Sequence, residues 1–242
     1  MTVSILVTRP RPAADRFADR VRDRLGKDYP VVVSPLIGIE TIEDAVQAVT
    51  RFGALVITSA HAVPVLAGLE GASDRPCYCV GTATACAARA AGLDPIDGGG
   101  TAEMLLRRIV ADAPRGPILY LRGEHVASDL ARGLSDAGLE THQAIVYRQL
   151  PRPLSGAARK LLSGAAPVVV PLFSPRTARL FFETVDLRAP LLVATISRNV
   201  AANVPAGVQC HIACRPDADA MLEAVAALAS QAKRVESGQG PQ

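Results

Sequence analysis

Small polar residues stand at the ends of four apolar runs, each leading directly into a helical pattern. They are Thr58 and Ser59 after ALVI, Ser174 after VVVPLF, Thr82 and Thr84 after CYCVG, and Ser197 with Asn199 after LLVATI. Any one of them reads as a helix cap, whose side-chain oxygen satisfies an orphan backbone N–H. Together they read as a binding surface, because open parallel α/β sheets take ligands beyond the carboxyl ends of their strands. Each helix start favours a negative group by roughly 0.3–1 kcal/mol. Arg9 and Arg122, at the ends of two further runs, add charge-assisted donors. The chemistry this set could do is to hold a ligand that carries several carboxylates or phosphates. No acidic cluster is present in the sequence, so no metal is expected.

Standard catalytic motifs are missing: there is no G-x-S-x-G, P-loop or H-E-x-x-H, and no G-x-G-x-x-G after the first strand. The glycine-rich DGGGTAE at 97–103 lacks the lysine of a phosphate cradle and reads as a loop with Thr101 as a helix N-cap. Cys210, His211 and Cys214 form an incomplete metal set at a strand end, and Cys77 and Cys79 alternate so that both thiols face the core.

Composition narrows the partners. Of 26 basic residues all but Lys27, Lys160 and Lys233 are arginine, a bias that a GC-rich genome produces and that also suits carboxylate recognition. A net charge of +3, aromatics at 4% and no Trp argue against a nucleic-acid partner. No apolar run reaches the length of a membrane span. Five cysteines without a disulfide-like framework, and an opening MTVSILVTRP that enters a strand and meets Pro10, lead us to expect a cytoplasmic protein without a signal peptide, working as a monomer.

The elements that must position these residues alternate along the chain. Short β-branched runs are separated by amphipathic stretches such as 12–27, where Phe17, Val21 and Leu25 share one helical face. This is an α/β pattern of parallel sheets covered on both sides. Pro171 inside VVVPLF predicts a weakened or edge strand, and the tail KRVESGQGPQ is expected to be disordered.

The chain also repeats itself, each segment displaced by about half its length. Residues 4–39 answer to 117–150, residues 54–66 to 168–182, and residues 77–92 to 191–207. Two similar lobes would enclose one cleft. Proline-marked extended sequence around Pro35 and around Arg148 occupies equivalent places in the copies. If the chain crosses between lobes there, residues 1–34 with 152–242 form a discontinuous first lobe and residues 38–146 the second. Residues 35–37 and 147–151 are then paired hinge strands. A plain split near residue 115 is the simpler alternative.

ILVTRP, LVITSAHAV, VGTATACAARAAG, LYLRGEHVASDLARGLSDAGLETHQAIVYR and FSPRTARLFF, in that order, resemble uroporphyrinogen-III synthase over nearly the whole chain. The motifs are soft, but their order and spacing are specific. The resemblance implies two α/β lobes joined by a two-stranded ladder, the first built from both termini. It implies closure of hydroxymethylbilane, a linear tetrapyrrole with eight carboxylates, to uroporphyrinogen III with loss of water and inversion of ring D, without a cofactor. Positioning is the main task of such an enzyme. The resemblance marks Tyr147 as the proton donor; a phenol titrates near pH ~10 and can protonate a leaving hydroxyl. Substrate-binding residues are expected at Arg9, Ser59, Thr82, Thr84, Arg122, Gly123, Ser174, Ser197 and Asn199. The alternative for Tyr147 is a hinge-strand tyrosine exposed for packing.

The sequence departs from the family pattern in places. The turn Gly81–Ala85 recurs as Ser197–Ala201, with Ser197 for the glycine and Val200 where a hydroxyl is expected; His61 stands where Asn is usual. The altered turn motivates a rival reading, a non-catalytic tetrapyrrole-binding or regulatory module, disfavoured by the lack of an attached DNA-binding segment. A two-lobed solute binder of periplasmic type would need the signal peptide.

Overall fold

The computed structural model describes residues 2–46, 48–126, 128–184 and 188–236. In chain order its strands are β1 (Ser4–Val7), β2 (Val31–Val33), β3 (Ile37–Thr41), β4 (Ala54–Ile57), β5 (Pro76–Cys79), β6 (Asp94–Asp97), β7 (Ile118–Gly123), β8 (Thr141–Pro151), β9 (Val168–Leu172), β10 (Leu191–Thr195) and β11 (Gln209–Ile212). The helices are α1 (Ala13–Leu25), α2 (Val63–Ala67), α3 (Thr82–Ala90), α4 (Ala102–Asp112), α5 (Leu130–Asp136), α6 (Gly156–Leu162), α7 (Pro175–Thr184), α8 (Arg198–Ala201) and α9 (Ala218–Glu236).

The chain divides into two units, Met1–Gly38 with Pro151–Gln242, and Ile39–Leu150. Unit 1 holds a sheet in the order β11-β10-β9-β1-β2, and unit 2 one in the order β3-β8-β7-β4-β5-β6. Read from the far edges, β11-β10-β9-β1-β2 and β6-β5-β4-β7-β8 are the same arrangement, and every pair within both runs is parallel. The repeat in sequence is thus a repeat in topology. Unit 2 adds β3 beside β8. The Arg152 N–H donates to Leu36 O at 2.8 Å and the Ile42 N–H to Val146 O at 2.9 Å, so numbers rise along one strand as they fall along the other and this pair is antiparallel. Both passages of the chain between units, after Gly38 and after Leu150, lie within these two strands.

In unit 1 the central strands β1, β9 and β10 are largely apolar on both faces because both are covered, whereas the edge strand β11 is exposed. Ile5 and Val7 join a core with Phe17 and Val21 of α1 and Met221, Val225 and Leu228 of α9. Leu6 faces the other way, into a core with Leu162 of α6, Phe181 of α7 and Val200 of α8. Helix α1 buries Phe17 and Val21 as their spacing predicts, with Leu25 packed at the margin. It stops at Gly26, whose N–H still donates to Arg22 O at 2.9 Å and whose φ of 78° turns the chain out of the helix.

Pro171 overturns the edge-strand half of its expectation. It lies in β9, a central strand, opposite Ala194 of β10. The Val168 N–H donates to Pro190 O on the β10 side, so alternation sends the Pro171 nitrogen toward β1. Pairing with β1 runs only through Ser4–Val168 and Ile5–Val169. β1 itself runs on to Val7, so the ladder between β9 and β1 ends where Pro171 offers no donor, while pairing with β10 continues past it. The tail also differs: Lys233–Glu236 continue α9, with Lys233 Nζ 3.1 Å from Asp28 Oδ2. The rest of that stretch, 237–242, lies outside the described residues.

Unit 2 is built likewise. Leu55, Ile57, Cys77 and Cys79 pack under α2 and α3, so both thiols of the Cys77–Cys79 pair are core residues. Val56, Tyr78 and Tyr120 face α4 and α5. Thr101 caps α4, its hydroxyl accepting the Met104 N–H at 3.1 Å.

Candidate active site

In unit 1 the predicted residues fall at the carboxyl ends of three adjacent strands, β1, β9 and β10. In unit 2 they follow the topologically equivalent β7, β4 and β5, with Tyr147 on β8.

Tyr147 is where the sheet of unit 2 departs from regularity. Along β7 and β8 the register runs from Ile118–Thr141 to Arg122–Ile145, then shifts so that Gly123 pairs with Tyr147. Val146 is the extra residue of a β-bulge. Strict alternation would put Tyr147 on the face opposite Val146. The bulge turns both into the same core, and Tyr147 is only 5% exposed. Tyr147 is therefore a buried tyrosine, not an exposed one. The Glu124 N–H donates to Tyr147 O at 3.1 Å, and the phenol ring lies against Gly123 and edge-on to His61, ring centres 5.6 Å apart.

The neighbouring strand end adds polar groups. Ser59 Oγ accepts the His61 N–H at 3.3 Å, capping the turn Ala60–Ala62, which packs on α3. The Thr58 hydroxyl lies 3.0 Å from the Tyr120 hydroxyl, and burial pushes the Tyr120 phenol above its usual range. The Thr82 hydroxyl donates to Asp97 Oδ2 at 2.7 Å, while the Gly99 N–H donates to Asp97 Oδ1 at 2.9 Å. The Gly99 N–H first, then Thr82, hold Asp97 below the usual carboxylate range. Thr84 is buried in the first turn of α3. Arg122 is engaged internally: Nε reaches Gln143 Oε1 at 2.7 Å, and Nη1 reaches Gly123 O at 2.9 Å and Glu124 O at 3.2 Å.

Arg9 is different. Its guanidinium lies over the Phe173 ring, 4.1 Å from the centre, and Phe173 in turn meets Phe17 edge-on at 5.0 Å. Burial, then Arg16, lower its pKa. Among the described residues it has no carboxylate partner within salt-bridge distance. Beside it, Thr8 is fully buried and its hydroxyl finds no hydrogen-bond partner among the described residues. Ser174 caps α7, accepting the Thr177 N–H at 3.1 Å and lying 2.9 Å from the Thr177 hydroxyl.

The altered turn keeps its backbone. Thr84 and Ala85 N–H both donate to Gly81 O at 3.0 Å, and Val200 and Ala201 N–H donate to Ser197 O at 3.1 and 3.0 Å. Val200 is 1% exposed, as Thr84 is 6% exposed, so the valine fills a core position. Gly81 itself answers to a neighbour, since a Cβ there would lie 2.9 Å from Gly100 Cα. Asn199 is exposed, its carbonyl accepting from the Asn203 side chain at 2.9 Å.

Sequence reading missed Thr8, Phe173, Tyr120 and Asp97. Phe173, directly before Ser174, was the one with a signal, as an aromatic at a strand end. No group of three or more His, Cys, Asp or Glu suited to a metal occurs among the described residues, nor is any helix there long and apolar enough to cross a membrane. A cavity of about 450 Å³ in unit 2, beside Phe52 and His142, includes none of the predicted residues.

These features define a class: proteins of two parallel α/β units with one repeated topology, the first assembled from both ends of the chain. Within that class, the family model for uroporphyrinogen-III synthase HemD matches residues 18–223, and the chain belongs to that family. Two solved structures share the fold. Uroporphyrinogen-III synthetase from Helicobacter pylori aligns with a TM-score of 0.69 at 19% identity, covering 94% of this chain and 100% of that one. A mutant uroporphyrinogen III synthase from the extremely thermophilic bacterium Thermus thermophilus aligns with a TM-score of 0.56 at 18% identity, covering 96% and 99%. Comparison with curated proteins finds no match.

Proposed function

We propose that this protein is a uroporphyrinogen-III synthase, closing hydroxymethylbilane to uroporphyrinogen III in tetrapyrrole biosynthesis. The observation that carries the reading is the family match over residues 18–223. In the reaction the C–O bond of the ring A hydroxymethyl group breaks, and Tyr147 supplies the proton with which the hydroxyl leaves as water. The electrophilic azafulvene is attacked by the substituted carbon of ring D, and reopening and reclosure of the spiro intermediate invert that ring. The buried position of Tyr147 supports this role, because a phenol shielded from bulk water donates to the leaving group and does not admit water to the azafulvene.

Substrate contacts are assigned to strand-end residues of each unit, Arg9, Ser174, Ser197 and Asn199 in one and Ser59, Thr82, Thr84 and Gly123 in the other, whereas the expected contact at Arg122 gives way to its bonds to Gln143, Gly123 and Glu124. Arg9 has the strongest support as a carboxylate anchor, being a desolvated guanidinium with no salt-bridge partner among the described residues. The rival regulatory reading loses its motive, since the turn at Ser197 keeps the backbone of its counterpart. The reading includes a monomer in a reducing cytoplasm, supported by five free cysteines.

The test supplies hydroxymethylbilane and separates the uroporphyrin isomers after oxidation. Isomer III is expected. Isomer I alone, formed at the protein-free rate, would overturn the enzyme reading.

A further inference from the structure

Gly123 has no need of glycine for its own backbone, since its φ lies outside the left-handed region. What its position uses is the missing side chain. A Cβ on Gly123 would lie 2.6 Å from both Cε2 and Cζ of Tyr147 and 2.8 Å from its hydroxyl oxygen. Carbon atoms in contact sit at roughly 3.5–4.0 Å. The tyrosine ring therefore occupies the space a side chain would fill. The register shift makes this possible by pairing Gly123 with Tyr147 across the bulge. His61, packed edge-on against the same ring, is a further contact on it.

We infer that Gly123 is a positioning residue: its bare Cα is the seat of the Tyr147 phenol, and the ring of His61 helps to hold the phenol there. This inference rests on Tyr147 being the proton donor. It changes the part Gly123 plays, from binding substrate to placing the donor. It also gives the departure at His61 a use, because an imidazole offers a ring edge where an asparagine would not.

The chain has four tyrosines, so tyrosine-ring carbon NMR on the full protein resolves them, with Tyr147 assigned by its loss in Tyr147→Phe. In Gly123→Ala the Tyr147 resonance is expected to move, with kcat falling toward the Tyr147→Phe value and KM unchanged. Added to Tyr147→Phe, Gly123→Ala should then cost nothing further in kcat, because the hydroxyl it misplaces is gone. An unmoved resonance, or the same loss of kcat in both backgrounds, would overturn the inference. If Gly123→Ala does not fold, His61→Ala decides: it should shift the same resonance and lower kcat, and an unshifted resonance overturns the clamp. Should the wild type make no isomer III, the proposed function falls, while the NMR result still judges the seat.

Discussion

At the scale of single residues, duplication has produced two arginines with different jobs. Arg122 donates to Gln143 and to the carbonyls of Gly123 and Glu124, so its charge-assisted donors serve the fold. Arg9 rests on Phe173 with its donors unclaimed by any carboxylate among the described residues. Leaving a cation desolvated without a counter-charge is costly, and a substrate acid group removes that cost. We therefore expect Arg9→Gln to raise KM about tenfold or more, a charge-assisted hydrogen bond being worth ~1.5–3 kcal/mol, with kcat unchanged. Arg122→Gln should lower stability by about 1 kcal/mol in urea unfolding and leave KM alone. Steady-state kinetics of both variants separate the two roles. The sequence matched these arginines as equals; only their neighbours distinguish them.

At the scale of elements, the sheet of unit 2 carries buried phenols whose ionisation the fold opposes. Tyr78 and Tyr120 sit in one core under α4 and α5. Burial, then the charge of Asp112, pushes the Tyr78 phenol up to about 12, and burial raises that of Tyr120. Unfolded phenols titrate near pH ~10. A folded pKa above the unfolded one means the folded state favours the protonated form. The stabilisation is therefore complete below about pH 10 and is lost as pH rises toward about 12. Alkaline unfolding followed by phenolate absorbance and far-UV dichroism should show both phenols ionising together with loss of helix. Ionisation well before unfolding would contradict the burial argument. The helices themselves were legible: the face of α1 and the Thr101 cap follow from spacing and residue type. The bulge at Val146 was not, because one skipped pairing leaves no mark on the apolar pattern of IVY.

For the whole molecule, the connection pattern predicts an order of folding. Unit 2 is continuous in sequence, whereas β1 must find β9, pairing Ser4 with Val168 and Ile5 with Val169. Closing so long a loop before any contact rewards it slows formation of such a sheet. We expect pulse-labelled hydrogen exchange during refolding to protect β4, β5 and β7 before β1 and β9. Simultaneous protection would mean the units fold as one. A fragment spanning residues 37–151 should likewise show cooperative unfolding, while residues 1–38 alone should not.

By itself, the sequence determined the class of fold and the repeat, and through its ordered motifs it pointed to the family that the match over residues 18–223 establishes. Those properties are written in periodicity and in short local patterns, which survive without knowledge of neighbours. Tertiary structure alone decided the rest: which strand neighbours Pro171, which arginine lies over an aromatic ring and which is bonded to the fold, and which face Tyr147 takes. Each of these depends on a partner distant in the chain. Pro171 is accommodated because its nitrogen faces the side on which the pairing of β9 with β1 ends at Val169, and Tyr147 is buried because Gly123 has no side chain to exclude it.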